Sequence, residues 1–281
     1  MAPPPSPRAA PNGAQPTPQP QPTPQPQTHT RARPLAGKVA LVTGSSRSIG
    51  AAIARRLAAD GADVVVNYHR SAGEAERTAY AINARDGGRA VVVRADVSSV
   101  AGGRALLREC TKLLGPPDIL VLNAGFMGHK PLAETDEAEF DAHFNTNVKG
   151  PLFLVQSAAQ EMKPGSRIIF MSTALTRASS ILPMGLLYAS SKGAVEQLVR
   201  VLAHDLGARG ITVNAVAPGA VDTPLFRAGK PPHMIRWIAG LNPQNRLPQP
   251  DEMSPIVAFL ASEEANWVNG QTIGVNGAFV V

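Results

Sequence analysis

LVTGSSRSIGAAIA, Leu41 to Ala54, is the stretch whose reading decides the fold. An apolar run ends in Thr43-Gly44, crosses a short Gly- and Ser-rich turn, and resumes as alanines and isoleucines at helical spacing. That pattern predicts a strand leading straight into a helix. The N–H groups of a helix's first turn lack internal partners and carry the positive end of the dipole, so such a junction favours a pyrophosphate. Glycine is required where the chain passes close to phosphate. Gly44 and Gly50 meet that need, while Ser48 adds a Cβ and a hydroxyl. Turns of this kind also serve packing alone, so both readings stand here.

Working outward, short β-branched runs alternate with longer alanine-rich amphipathic segments from Lys38 onward. The strands read as KVALVTG, ADVVVNY, AVVVRADV, DILVLNAG, RIIFMST, ITVNAVAPG and QTIGVNG. Helices are predicted over 49–60, 73–85, 99–114, 137–162 with a bend at Gly150-Pro151, 188–207 and 251–262. Near-continuous apolar strands joined by helices are the signature of a parallel sheet buried on both faces. The expectation is one α/β, Rossmann-like, doubly wound domain over residues 35–281, with a mostly parallel seven-stranded sheet.

The chain of 281 residues is 44% hydrophobic, enough for a sizeable core. Residues 1–34 hold 12 of the 26 prolines and no acidic residue, so a disordered arm of polyproline II character is expected there. Those prolines break any transit helix, and no uninterrupted apolar stretch marks a secretory signal. No run approaches the roughly 18 apolar residues of a membrane span. A lone Cys110 forms no internal disulfide, which points to the cytoplasm. Three arginines of the arm inflate the net charge of +6; without them 24 basic residues face 21 acidic ones, which argues little for nucleic acid.

The end of the second strand bears on nucleotide choice. An acidic residue there accepts from a ribose 2′-hydroxyl, whereas this strand ends VVVNYHR. Asn67 leaves room for a 2′-phosphate, and Arg47 with His69 or Arg70 can supply the cation, so NADP(H) is favoured over NAD(H). Tyr188-Ala-Ser-Ser-Lys192 places a phenol and an ammonium four residues apart on one helix face. A nearby cation favours phenolate, which makes Tyr188 a candidate general acid/base.

Taken together and in order, TGSSRSIG, RADVSS, LNAGF, FNTNVKG, IIFMST, YASSK and VNAVAPGAVDTPLF resemble the short-chain dehydrogenase/reductase family, of the fungal and bacterial ketoreductase kind. The resemblance implies that Tyr188 exchanges a proton with a ketone or alcohol oxygen while hydride moves to or from the nicotinamide. It implies that Lys192 lowers the tyrosine pKa and holds the ribose. Asn147, interrupting its helix, would anchor a relay water. Asp96 would meet the adenine, Asn123, Ala124 and Gly125 the adenosine ribose, and Pro218, Gly219, Val221 and Thr223 the nicotinamide amide. Ser45, Ile49, Tyr68 and Val97 complete the expected cofactor contacts. The substrate-orienting hydroxyl belongs at the end of the fifth strand, where Ser172 and Thr173 compete; alignment on RIIFMST favours Thr173. Ser48 departs from the family's usual glycine, but it is small and its hydroxyl can bond phosphate.

The segment 222–249, rich in proline and large apolar residues, reads as a substrate loop. Phe226, Met234, Ile235, Trp237, Ile238 and Leu241 are its candidate lid over an apolar, aromatic or polyketide-like ketone, with His233 and Arg236 near any polar substituent. No metal, nucleic acid or membrane partner is expected. By the resemblance, the helices 137–162 and 188–207 pair across a two-fold axis in a homodimer or homotetramer. Two other outcomes stay open: a catalytically silent dinucleotide-binding protein docked through its arm, and an alcohol dehydrogenase of the same family.

Overall fold

Stiff β-branched side chains pack well on a pleated surface covered from both sides, and they build the strands here. The computed structural model describes residues 1–5, 33–85, 87–179 and 181–281. The disordered arm expected over 1–34 lies almost wholly outside the described residues. Within the unit spanning Ala32–Val281, β1 (Val39–Val42), β2 (Asp63–Tyr68), β3 (Ala90–Arg94), β4 (Ile119–Leu122), β5 (Arg167–Met171), β6 (Thr212–Pro218) and β7 (Thr272–Val275) form one sheet. Its order is β3-β2-β1-β4-β5-β6-β7, and every pairing is parallel.

Helices α1 (Ser48–Ala59), α2 (Ala72–Asn83), α3 (Val100–Leu113), α4 (Glu137–Phe144), α5 (Gly150–Ala158), α6 (Leu186–Gly207), α7 (Pro224–Arg227), α8 (Pro232–Gly240) and α9 (Ser254–Ala261) connect and cover the strands. Alternate strand residues feed two separate cores. Ala40, Val42, Val64, Val66, Ile119 and Val121 pack with α1, α2 and α9 on one face. Leu41, Val65, Leu120, Leu122, Ile168 and Phe170 pack with α3, α5 and α6 on the other. This two-sided burial is why the strands read as continuous apolar runs. Leu35 is buried, and its N–H bonds Asp60 O at 2.9 Å.

The strand order reverses between β1 and β4, and the loops leaving their C-terminal ends part there to form a crevice. Thr43 fastens its floor: its hydroxyl donates to Val121 O at 3.3 Å and accepts from the N–H groups of Asn123 and Ala124, both at 3.0 Å. The helix expected over 137–162 differs from the structure in its break and in its end, since α5 stops at Ala158. It breaks not at Gly150-Pro151 but one turn earlier, where Asn145–Lys149 forms a π-turn between α4 and α5. Proline is tolerated at Pro151 because it sits in the first turn of α5, where its missing N–H costs no bond.

Candidate active site

Gly44 ends β1 at φ +60, and a Cβ there would come 2.9 Å from Ala124 Cα. Gly50 is needed for internal packing, since a Cβ there would meet Asn123 Nδ2 and Gly44 O, each at 2.5 Å. Ser48 adopts φ +54, a left-handed conformation that favours glycine. Helix α1 therefore starts under strain. It has no side-chain cap and no acidic residue in its first turn. Orphan donors of this kind, lining a cavity, suit an anion.

Two residues expected at the cofactor also brace the turn internally. Ser45 is buried; its hydroxyl donates to Val42 O at 2.7 Å and accepts from Asn67 N–H at 3.0 Å. Its own N–H bonds Asn67 O at 2.9 Å, so both donors of Ser45 are used within the protein. The Asn67 side chain accepts from Gly44 N–H at 3.0 Å and donates to Ala95 O at 3.2 Å and Val93 O at 3.3 Å. It ties the turn to β2 and β3. Exposed Arg47, His69 and Arg70 line the cavity beside this turn, with half-buried Tyr68 also in its wall. Burial works to raise the Asp96 carboxyl, but hydrogen bonds from the Ser98 N–H and hydroxyl, with His69 and Arg70 nearby, hold it below its usual value.

At the end of β5 the two neighbouring hydroxyls part company. Ser172 Oγ donates to Glu196 Oε1 at 2.7 Å, and Thr176 Oγ1 donates to the same oxygen at 2.7 Å. Thr173 is the residue in hydrogen-bonding contact with the Tyr188 phenol. Glu196, absent from the sequence-based set, stands one helical turn beyond Lys192, a spacing at which it was legible as a partner on the same face. Lys192 Nζ lies 5.8 Å from the Tyr188 ring centroid and donates to Met171 O at 2.6 Å.

The charge states differ from the simple tyrosine–lysine expectation. Burial pushes the Tyr188 phenol up to about 12, and the Thr173 hydrogen bond only partly opposes this. Burial likewise pulls the Lys192 ammonium down to about 8. Desolvation dominates at both groups, and Tyr188 is a neutral, proton-bearing phenol at neutral pH.

Asn147 is buried inside the π-turn. Its Nδ2 donates to Phe126 O and to Ser191 Oγ, both at 2.9 Å, while Oδ1 accepts from Phe126 N–H at 2.8 Å. Both amide protons are spent on protein, leaving one lone pair of Oδ1. Gly125 lies between this group and the lysine: a Cβ there would sit 3.5 Å from Asn147 Oδ1 and 3.8 Å from Lys192 Nζ.

A cavity of about 1070 Å³ spans these elements, and every residue expected at the catalytic centre or the cofactor except Ser45 and Asn147 lines it. The sheet order sets the order of its walls, with the loops after β3 and β2 at one end and those after β5 and β6 at the other. Buried Val221 and Thr223 belong to the last wall, where the Thr223 hydroxyl accepts from Phe226 N–H at 3.1 Å and caps α7. Of the expected lid, Phe226, Met234, Trp237, Ile238 and Leu241 line the cavity, whereas Ile235, His233 and Arg236 do not. Ile181, Leu182 and Met184 add an apolar wall that the sequence did not single out. The polar pair His129 and Lys230, also not singled out, lines the cavity too; they lie 101 residues apart and meet only in the fold.

A family model described as enoyl-(acyl carrier protein) reductase matches residues 44–279. The solved structure of a short-chain dehydrogenase from Burkholderia cenocepacia, in complex with NADP, is 36% identical with a TM-score of 0.82, covering 88% of this chain and 99% of that one. The chain belongs to the short-chain dehydrogenase/reductase family. Among curated members of the family, the NADPH-dependent aldehyde reductase-like protein, chloroplastic, of Arabidopsis thaliana is 42% identical over 260 residues, 88% of this chain and 96% of its own length. The hydroxynaphthalene reductase-like protein Arp2 of Metarhizium majus is 41% identical over 260 residues, 88% of this chain and 97% of its own length.

Proposed function

We propose that this short-chain dehydrogenase/reductase reduces a ketone of apolar, aromatic or polyketide-like character to a secondary alcohol, using NADP(H) and Tyr188 as proton donor. One observation carries the reading: an uncapped helix N-terminus flanked by Arg47 and Arg70 shares a cavity with Tyr188, Thr173 and Lys192. The orphan N–H groups of α1 suit a pyrophosphate, and the two arginines, with no acid at the end of β2, suit a 2′-phosphate. Relatives named for NADPH or solved with NADP support the same cofactor.

NADPH supplies the hydride when bound. The Thr173 hydroxyl donates to the substrate carbonyl oxygen and holds it beside the phenol. As charge develops on that oxygen, the Tyr188 proton passes to it. The Lys192 ammonium and Thr173 then stabilise the phenolate left behind, and a relay beside Asn147 and Gly125 returns a proton. A phenol held near 12 starts in the form a reductase needs, whereas alcohol oxidation requires it ionised first. The segment 224–241 acts as an apolar lid.

No helix among the described residues is long and apolar enough to cross a membrane. We place the protein in the cytoplasm, although the Arabidopsis relative is named as chloroplastic. A homodimer or homotetramer is supported by exposed Val201 on α6, exposed Trp267 and the open edge strand β7. The decisive experiment follows NADPH oxidation with saturated ketones and enones. Tyr188→Phe should lower kcat for the ketone by about 10²- to 10⁴-fold while NADPH still binds. Unchanged turnover, or reduction of C=C bonds alone, overturns the proposal.

A further inference from the structure

The substrate half of the cavity is walled by Met127, Phe226, Met234, Trp237, Ile238 and Leu241. One cation interrupts this apolar surface. Lys230 Nζ donates to Phe226 O at 2.8 Å and to His129 Nε2 at 3.3 Å, and lies 5.0 Å from the Phe226 ring centroid. No carboxylate pairs with it among the described residues, and Asp96, the one carboxylate in the cavity wall, belongs to the loop after β3 at the far end. A half-buried cation with only neutral partners keeps a desolvation cost that an anion would offset. Burial accordingly pulls the Lys230 ammonium below its usual value. His129, with burial and Lys230 both lowering its pKa, stays a neutral imidazole that accepts from the lysine.

Resting on the ketone-reductase reading, we propose that the Lys230–His129 pair is an oxyanion anchor, and that the substrates are ketones on an apolar ring body that also carries an acidic oxygen, a carboxylate or an ionised phenol. The pair bridges the loop after β4 and the lid, so an anion bound there draws the two walls together over the ring. Lys230 supplies a charge-assisted hydrogen bond through its third N–H, and His129 orients the ammonium.

The test uses full-length protein saturated with NADP⁺ and follows quenching of Trp fluorescence, since Trp237 lines the same cavity. Carboxylate probes are 3- and 4-acetylbenzoate against their methyl esters; phenol probes are 4-hydroxyacetophenone against 4-methoxyacetophenone, above and below the phenol pKa. At least one acid should bind about 10- to 100-fold more tightly than its capped partner. Lys230→Met should abolish that ratio and Lys230→Arg retain it, with NADP⁺ titration reporting that each variant is folded. Equal affinity for acid and capped forms overturns the proposal. So does a Lys230→Met variant that keeps the ratio or loses NADP⁺ affinity instead. NADPH oxidation by the same probes is scored separately. Selective binding without oxidation counts against the reductase reading and not the anchor, and oxidation without selectivity counts against the anchor alone.

Discussion

Replacing Thr173 by Val and Ser172 by Ala should produce opposite phenotypes from adjacent residues. Thr173→Val keeps the β-branched shape and removes the hydroxyl that touches the Tyr188 phenol. Its one other side-chain bond, from Leu175 N–H, is long at 3.4 Å, so stability should change by less than about 1 kcal/mol. Losing a donor aimed at a developing oxyanion costs about 10²- to 10³-fold in kcat, or about 2.7–4 kcal/mol. Ser172→Ala removes a buried 2.7 Å bond to the Glu196 carboxylate. Such bonds are worth about 1.5–3 kcal/mol, and because Thr176 remains as a donor to the same oxygen the loss should fall near the low end. At roughly 2–4 °C per kcal/mol for a domain of this size, Tm should fall by about 3–8 °C. NADPH oxidation under saturating ketone reads the first effect and thermal melting the second. If Ser172→Ala depresses kcat as far as Thr173→Val does, the assignment of the two hydroxyls is wrong.

Ser48→Gly should relieve the left-handed strain at φ +54 and raise stability by up to about 1 kcal/mol, after the entropy that glycine adds to the unfolded chain is subtracted; a lower Tm contradicts the strain reading. Arg47→Ala or Arg70→Ala should cut the preference for NADPH over NADH by about tenfold, read as a ratio of kcat/KM, because each removes a charge-assisted bond to the 2′-phosphate; an unchanged ratio sinks that placement. The pH dependence has two parts. Reduction should slow above pH about 8 as Lys192 loses its ammonium. Because the folded lysine binds its proton more weakly than the unfolded one, stability of the free protein should rise from about pH 8 to about 10, level off as the two effects oppose, and fall above about 10.5 as unfolded tyrosine ionises while Tyr188 resists to about 12. Unfolding free energies measured across this range that fail to rise between pH 8 and 10 would be evidence against the burial of Lys192.

The fold could be read from sequence because its determinants are local. Strand runs buried on both faces, a glycine turn into a helix and the order of the βα units are each written within a few consecutive residues. Gly44, the YASSK spacing and the absence of an acid after β2 belong to that class. What tertiary structure alone decided is where neighbouring side chains turn once a strand ends. Ser172 and Thr173 are consecutive hydroxyls at the end of β5, and which one meets Tyr188 depends on Glu196, supplied by α6. That Asn67 and Ser45 also tie the turn to β2 and β3 depends on partners outside their own stretch of sequence. The protonation of Tyr188 follows from how deeply it is buried, which outweighs the Thr173 hydrogen bond that favours the phenolate. His129 and Lys230 carry no mutual signal in a linear chain, because only the parting of the loops after β4 and β6 brings an imidazole and an ammonium within 3.3 Å. Local patterns set the backbone path; burial and partner choice, which are sums over distant segments, set the chemistry of the side chains along it.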